Sequence, residues 1–145
     1  MDNNRFNSFF KLLMHLEGGY SDVVQDHGGK SKYGITEQTL YSYDPLLRVE
    51  DLNLEQVKKI YKERYFEKVY PARDIKVHYH YFDICVNSGY GNYIKCRRQS
   101  KGTSEGILVW RRNFYYGIVQ GTPSQQKFYK GWMNRLTDIE RFKFE

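Results

Sequence analysis

The chain has 145 residues, with 23 Lys and Arg against 17 Asp and Glu, so its formal charge is 23 − 17 = +6. This length supports one compact domain, or one domain and a small appendage. The mean hydropathy is −0.76, and no apolar run approaches the ~18 residues of a membrane-spanning helix, which excludes an integral membrane protein. Two cysteines, Cys85 and Cys96, are too few for a disulfide scaffold, and we expect two small buried hydrophobes.

The N-terminal half begins with a pattern typical of an amphipathic helix. Its apolar face carries Phe6, Phe9, Phe10, Leu13, Leu16 and Glu17, and the glycines at 18–19 end it. Residues 20–35 predict an irregular loop with a short hairpin. Thr36 predicts the cap of a short helix to about Tyr43. A longer helix is expected from about Leu54 to Val69, with Asn53 as its cap and Gln56 reaching back to it.

The C-terminal half is also predicted to be helical. Helices are expected over 77–87 and 107–119, with 97–106 as a polar connection between them. Thr122 to Gln125 predicts a capping box with Pro123 in the first helical turn, before a last helix that carries Phe128, Trp132 and Leu136. The fold class predicted is therefore α+β and mainly α, with one small β-hairpin.

Three side chains near the hairpin could carry chemistry, namely Glu17, Asp26 and Ser31. Glu17 continues an apolar helix face and lies at a helix C-terminus, and both settings favour the protonated form of a carboxyl group. Asp26 lies in a glycine-rich loop, where a carboxylate is solvated and stays ionised. Two carboxyl groups in contrasting environments suit the acid and base of glycosidic cleavage, and the hydroxyl of Ser31 could position a water. Surface solvation and an ordinary turn explain the same residues.

The chain reads Glu-Gly-Gly-Tyr at 17–20 and Asp-His-Gly-Gly-Lys-Ser-Lys-Tyr-Gly-Ile-Thr at 26–36. These two runs resemble the signature of glycoside hydrolase family 108, which comprises peptidoglycan muramidases and includes phage endolysins and secretion activators. That signature has Asp-Pro-Gly-Gly-x-Thr, so His27 and Ser31 depart from it. The helix at 60–66 and the Asp83, Val86-Asn87 and Gly89 segment also resemble the family, as do parts of 110–135.

The resemblance implies a lysozyme-like fold with the hairpin beside the active-site cleft. It implies Glu17 as the acid, with Asp26 and Ser31 on the family's hairpin positions. Tyr20, Tyr33, Asn87 and Tyr90 could contact the substrate. The three tyrosine rings could instead pack in the core, and Asn87 could cap a helix. Trp132 could stack on sugar, and the pairs Arg97-Arg98 and Arg111-Arg112 could meet anionic wall polymer or form a solvated face. The reaction needs no metal or organic cofactor.

The expected organisation is a single muramidase domain over 1–145, monomeric, with 1–96 as its catalytic part. Residues 104–145 resemble the family's predicted peptidoglycan-binding region. The partner expected is bacterial peptidoglycan, with neither nucleic acid nor a membrane span. Because no signal peptide is visible, we expect accumulation in the cytoplasm and action at the wall after passage through a holin or an export system, or carriage on a virion.

Two other classes of function fit parts of the sequence. A non-catalytic module could hold peptidoglycan in the same cleft. A small basic nucleic-acid-binding protein would also use the positive charge and the 17% aromatic content, although no recognition motif supports it.

Overall fold

The computed structural model of the chain describes residues 3–17, 20–21 and 30–144. The helices within these residues are α1 Asn3–Glu17, α2 Glu37–Tyr43, α3 Leu54–Arg64, α4 Ile75–Ser88, α5 Tyr90–Gln99, α6 Ser104–Gly121 and α7 Gln126–Arg141. The strands are β1 Tyr20–Ser21, β2 Ser31–Lys32 and β3 Ile35–Thr36. Short 3-10 helices cover Val49–Asp51, Phe66–Lys68 and Pro123–Gln125. This is the mainly α, α+β class that the sequence predicts.

The chain divides into two compact units, Met1–Lys68 and Val69–Glu145. In the first, α1 buries Phe6, Phe9 and Leu13 of its predicted apolar face, together with Leu12, which that face does not include. Phe10 and Leu16 of the predicted face are partly buried. Phe66 meets this face edge-on, with ring centroids 5.0 Å from Phe6 and 5.7 Å from Phe9. Helix α3 adds Val57, Ile60 and Tyr61 to the same unit's core. Burial of these rings and aliphatic side chains provides the main driving force for folding of the unit.

The β part of the first unit is a three-stranded antiparallel sheet in the order β1-β2-β3. Tyr20 pairs with Lys32, and Ser31 pairs with both Ser21 and Thr36. The predicted hairpin is therefore β2-β3, and β1 extends it by one strand. Each strand has only two residues, so the sheet depends on side-chain anchors from neighbouring elements rather than on its own ladder.

The predicted caps are present at α2 and α3. The hydroxyl oxygen of Thr36 accepts a hydrogen bond from the backbone N–H of Thr39, and Asn53 and Gln56 form the reciprocal capping box. The predicted end of α3 at Val69 is wrong, because α3 ends at Arg64. Tyr65 leaves the helical region with φ −131°, and the chain continues as a 3-10 turn. Apolar periodicity runs through both elements and does not mark this break.

The second unit is built around α4, in which every residue from Val77 to Cys85 is buried. The cap of α4 is Asp74, whose carboxylate accepts hydrogen bonds from the backbone N–H groups of Lys76 and Val77. Helices α5 and α6 both pack on α4. Cys85 and Cys96 are buried free thiols, as the sequence predicts, and burial raises the pKa of each to about 11.

Two predictions in this unit are wrong. Residues 97–99, predicted to be part of a polar connection, belong to α5, a helix that buries only Tyr93 and Cys96 and therefore gives little periodic signal. The predicted capping box at Thr122 is also absent: Pro123 starts a 3-10 turn, and Thr122 makes no side-chain capping bond. Helices α4 and α6 are each longer than predicted at both ends.

Candidate active site

Glu17 is the last residue of α1, and it follows Leu13 by one helical turn. Leu13 is fully buried and Glu17 is partly buried, so the carboxyl group sits where the apolar face of the helix meets the solvent. The predicted setting of Glu17 at the end of an apolar helix face is confirmed by the structure.

The turn between β2 and β3 lies directly against Glu17. Its two central residues, Tyr33 and Gly34, have φ values of +52° and +83°, the left-handed pair that a two-residue type I′ hairpin requires. A Cβ atom on Gly34 would lie 3.1 Å from both Cγ and Cδ of Glu17, and it would overlap the hydroxyl of Tyr61. Glycine is therefore required here for its backbone conformation and for the close approach of the carboxyl group.

Tyr61 fixes this turn from the side of α3. Its side chain is 1% exposed, and its hydroxyl donates a hydrogen bond of 2.7 Å to the carbonyl oxygen of Tyr33. Tyr33 is a non-glycine residue at positive φ, a conformation that costs about 1–2 kcal/mol. The buried hydroxyl offsets part of this cost. The sequence places Tyr61 on an apolar helix face, but no pattern in it signals the role of the hydroxyl.

The other predicted site residues of the first unit are described to different extents. Ser31 opens β2 and is partly buried, two residues before the turn that holds Glu17. Tyr33 is in the turn itself. Tyr20 lies in β1, paired through its backbone with Lys32. Asp26 lies outside the described residues. The structure thus brings Glu17 together with the hairpin that carries Ser31 and Tyr33.

Two lysines anchor the hairpin to the segment before α3. The ammonium group of Lys32 donates to the carbonyl oxygens of Glu50 and Leu52, at 3.2 and 2.8 Å. Lys30 lies 3.6 Å from the carboxylate of Glu50, which also accepts from Arg48 at 3.1 Å. An open groove of about 520 Å³ runs beside these residues. Its lining is Lys30, Glu37, Gln38, Leu40, Tyr41, Leu47, Arg48, Val49 and Glu50.

The model of the glycosyl hydrolase 108 family matches residues 10–89, more than half of the chain. The chain belongs to this family. The matched region contains the second half of α1, the β2-β3 hairpin, Tyr61 and α4. A comparison with curated protein sequences gives no match.

Among solved structures, the family 108 chain is similar to SagA from Brucella abortus. The two share 23% identity with a TM-score of 0.74, over 92% of this chain and 90% of that one. This likeness extends over both compact units and confirms the predicted lysozyme-like α+β fold. Within the described residues, no helix of this family 108 protein is both long enough and apolar enough to cross a membrane.

The remaining predicted substrate residues of the family 108 protein, Asn87 and Tyr90, belong to the second unit. Asn87 is exposed near the end of α4, and its side-chain carbonyl accepts a hydrogen bond from the hydroxyl of Tyr115. Tyr90 starts α5, is about half exposed, and has its ring centroid 5.5 Å from that of Tyr93. Part of the hydrogen-bonding capacity of Asn87 is therefore used within the protein.

A buried ion cluster around Asp83 was not predicted from the sequence. The Asp83 carboxylate is fully buried on α4, and it accepts hydrogen bonds from Arg111 of α6 at 2.8 Å and from Arg135 of α7 at 2.9 Å. The hydroxyl of Tyr79 donates to it at 2.9 Å. Burial alone would raise the pKa of Asp83, but the two guanidinium groups outweigh it and hold this pKa well below its ordinary value.

His80, also on α4, extends the cluster to the end of α7. Its Nδ1 atom accepts a hydrogen bond from Arg111, since a guanidinium group can only donate, so Nε2–H donates to the carboxylate of Glu140. Burial, reinforced by the charge of Arg111, lowers the pKa of His80. The hydrogen bond from His80 lowers the pKa of Glu140. The cluster therefore holds a neutral histidine between a cation and an anion.

These contacts correct the interpretation of Arg111 as half of a basic surface pair. Arg111 is 1% exposed and belongs to the ion cluster, whereas its neighbour Arg112 is exposed. The ring of Trp132 is stacked on that of Tyr115, with ring centroids 4.9 Å apart, so the stacked face of Trp132 is not available to bind a sugar. Across residues 3–17, 20–21 and 30–144, no group of three or more His, Cys, Asp or Glu side chains is arranged to hold a metal ion.

Proposed function

We propose that the protein is an N-acetylmuramoylhydrolase that cleaves the β-1,4 bond between N-acetylmuramic acid and N-acetylglucosamine in peptidoglycan. One observation carries this proposal: in a member of the glycosyl hydrolase 108 family, the side chain of Glu17 is seated on the Tyr33–Gly34 turn, next to the strand that opens with Ser31. A carboxyl group on a fixed turn, at the end of a helix, suits the general acid of a glycosidase.

Glu17 would protonate the glycosidic oxygen as the transition state develops oxocarbenium character. Asp26, assisted by the hydroxyl of Ser31, would orient and activate a water molecule on the opposite face of the sugar. With ~6.5–9.5 Å between two carboxyl groups, the water fits between them and the anomeric centre is inverted. No cofactor takes part in this scheme, because acid, base and water supply every proton that moves.

Substrate contacts are assigned to four residues. Tyr20 belongs to β1, and Tyr33 lies in the turn beside Glu17. These two tyrosines would bind the sugars nearest the scissile bond. Asn87 and Tyr90 would contribute further contacts to the glycan chain or its acetamido groups. The exposed face of Tyr90 supports this role, and so does the side-chain amide of Asn87.

The first test measures the release of reducing ends from purified peptidoglycan by the wild type and by Glu17→Gln. We expect cleavage by the wild type and a loss of at least ~100-fold in the variant. Glu67→Gln is the matched control, since Glu67 is an exposed carboxylate in the same unit. Its activity should equal that of the wild type. Equal cleavage by Glu17→Gln would refute the assignment of Glu17.

Proton NMR of the product, recorded before mutarotation, gives the anomer formed. The α-anomer of a β-linked substrate is expected for inversion, and the β-anomer would instead indicate a covalent intermediate and a carboxyl separation near ~5 Å. If neither wild type nor variant cuts peptidoglycan but both bind it, the protein is a non-catalytic binding module. Pull-down on insoluble peptidoglycan separates that outcome from simple inactivity.

We further propose an endolysin-type role, in which a holin or an export system gives the enzyme access to the wall. Expression of the protein in a bacterial host, with and without a holin, tests this role. Culture turbidity should fall only when the protein and the holin are expressed together. We also propose that residues 1–145 act as one muramidase domain. Separating 1–96 from the remainder would leave Asp83 without Arg111 and Arg135, so this fragment should not fold alone.

A further inference from the structure

The net positive charge of the chain belongs entirely to its second compact unit. Met1–Lys68 contains 10 Lys and Arg against 11 Asp and Glu, which gives 10 − 11 = −1. Val69–Glu145 contains 13 against 6, which gives 13 − 6 = +7. Such an asymmetry between two parts of one chain indicates a polyanionic partner for the basic part.

Within the second unit, the charge is concentrated around α5. From 84 to 104 the sequence has no Asp or Glu, and it carries four cations. Three of these cations lie on α5 and the fourth lies in the turn that follows it, and we call them, together with Tyr70, the α5 basic surface: Tyr70, Lys95, Arg97, Arg98 and Lys101. All five residues are exposed, and none of the four cations makes an ion pair within the part of the chain that the structure describes. An incoming phosphate would therefore displace no resident carboxylate.

Arg97 and Tyr70 form the structured centre of this surface. The guanidinium carbon of Arg97 lies 4.2 Å from the centroid of the Tyr70 ring, whose side chain is 50% exposed. The backbone N–H of Tyr70 donates to the hydroxyl of Tyr93, which ties the segment to α5. The guanidinium group of Arg97 lies over this ring and makes no ion pair within the described residues, so its N–H groups are available to two oxygens of a phosphate.

We propose that the α5 basic surface binds the phosphate headgroups of an anionic phospholipid bilayer. Its exposed tyrosine, beside cations on flexible apolar stems, has the chemistry that suits the headgroup region: the ring lies at the boundary of the acyl chains and the cations reach the phosphates. Duplex nucleic acid would use the four cations but would offer no apolar contact to the exposed part of the Tyr70 ring, because its bases are stacked inside the duplex. The bilayer uses both parts of the surface.

The test is co-sedimentation of the full chain with vesicles of phosphatidylcholine containing about 30% phosphatidylglycerol, compared with pure phosphatidylcholine vesicles. We expect binding to the anionic vesicles alone, and its loss as NaCl rises from about 0.05 M to about 0.5 M. Replacement of Lys95, Arg97, Arg98 and Lys101 by Gln should weaken the partition coefficient by at least about tenfold. Tyr70→Ser should weaken it several-fold with the charge unchanged.

A matched variant removes the same charge elsewhere. Lys11, Lys59, Lys68 and Lys130 are exposed lysines outside this surface, and their replacement by Gln lowers the net charge by the same amount. This variant should keep binding within about twofold of the wild type. Circular dichroism should show the same helical content in all variants, because every substituted side chain is exposed.

Three results would overturn the proposal. The first is an absence of binding to the anionic vesicles at low salt. The second is an equal loss of binding in the two fourfold variants, which would mean that net charge alone is responsible. The third is duplex DNA binding, measured in the same buffer, that is weakened by the α5 substitutions while vesicle binding is unaffected. This last result would assign the surface to nucleic acid.

Discussion

The side chain of Glu17 lies against the backbone of Gly34. Its Cγ and Cδ atoms are each 3.1 Å from the point that a Cβ on Gly34 would occupy. This contact joins the end of α1 to the β2-β3 turn, two elements that are distant in sequence. The carboxyl group of the proposed acid is thus positioned by a backbone turn, whose geometry depends on one glycine and on the hydroxyl of Tyr61.

Gly34→Ala should disturb both stability and activity. The added methyl group would overlap the Tyr61 hydroxyl and press on Glu17, and the residue would have to remain at φ +83°. We expect the free energy of unfolding to fall by about 1–3 kcal/mol, together with a large loss of peptidoglycan cleavage. Urea unfolding and reducing-end release measure the two effects.

Gly131→Ala is the control for this change. Gly131 lies within α7, where an added Cβ meets nothing within 4 Å, so the variant should be as stable as the wild type or more stable by up to about 1 kcal/mol. A Gly34→Ala variant as stable and active as the wild type would show that the turn does not hold the carboxyl group in place.

Tyr61→Phe should loosen the turn while keeping the packing of the ring. The variant loses the 2.7 Å hydrogen bond to the carbonyl oxygen of Tyr33. We expect a cost of about 1 kcal/mol in unfolding free energy and a lower kcat, since the turn against Glu17 becomes less rigid. Tyr41→Phe removes a hydroxyl from a side chain that is 72% exposed, and it should change neither quantity.

Much of this arrangement can be predicted from the sequence, for identifiable reasons. The apolar face of α1 leads directly to Glu17, and the Asn53–Gln56 box depends on residues three apart, so local patterns suffice for both. The contact of Glu17 with Gly34 and the bond from Tyr61 to Tyr33 join residues that are distant in sequence. Helix propensity and periodicity carry no information about such pairs.

The same limit explains why the buried cluster was missed. Asp83 lies within a helix predicted from its apolar residues, and the pair at 111–112 is indistinguishable in sequence from the exposed pair at 97–98. Only the packing of α6 on α4 shows that Arg111 is buried. Arg97, on α5, is exposed. Charge pairing across 28 residues is a tertiary property.

Asp83→Asn should be the most destabilising of the substitutions considered. It would leave Arg111, which is 1% exposed, without the carboxylate that compensates its charge. Breaking a buried ion pair from one side costs about 3–5 kcal/mol, and we expect a loss of unfolding free energy in this range. Urea denaturation of the full chain measures it. Asp138→Asn, at an exposed position of α7, should have an effect below about 0.5 kcal/mol.

The pH dependence of stability should reflect His80. Burial and the neighbouring Arg111 lower the pKa of His80 in the folded chain. At pH values between this lowered pKa and the ordinary value of 6.5, the unfolded chain therefore binds more protons than the folded chain. Stability should therefore fall as the pH drops below about 6.5. Protonation would also place an N–H of His80 against the guanidinium group of Arg111. The pKa values of Glu140 and Asp83 are also lowered in the folded chain, that of Glu140 by its bond to His80. Protonation of these two carboxylates therefore causes a further loss of stability at pH values below the ordinary pKa range of carboxyl groups.

The measurement is the urea midpoint between about pH 7.5 and pH 5 for the wild type, His80→Gln and His15→Gln. Glutamine can accept from Arg111 and donate to Glu140 but does not titrate, so His80→Gln should flatten the curve in this range. His15 is exposed on α1, and its replacement should leave the slope unchanged. A slope that persists in His80→Gln would assign the pH dependence to groups outside the cluster formed by α4, α6 and α7.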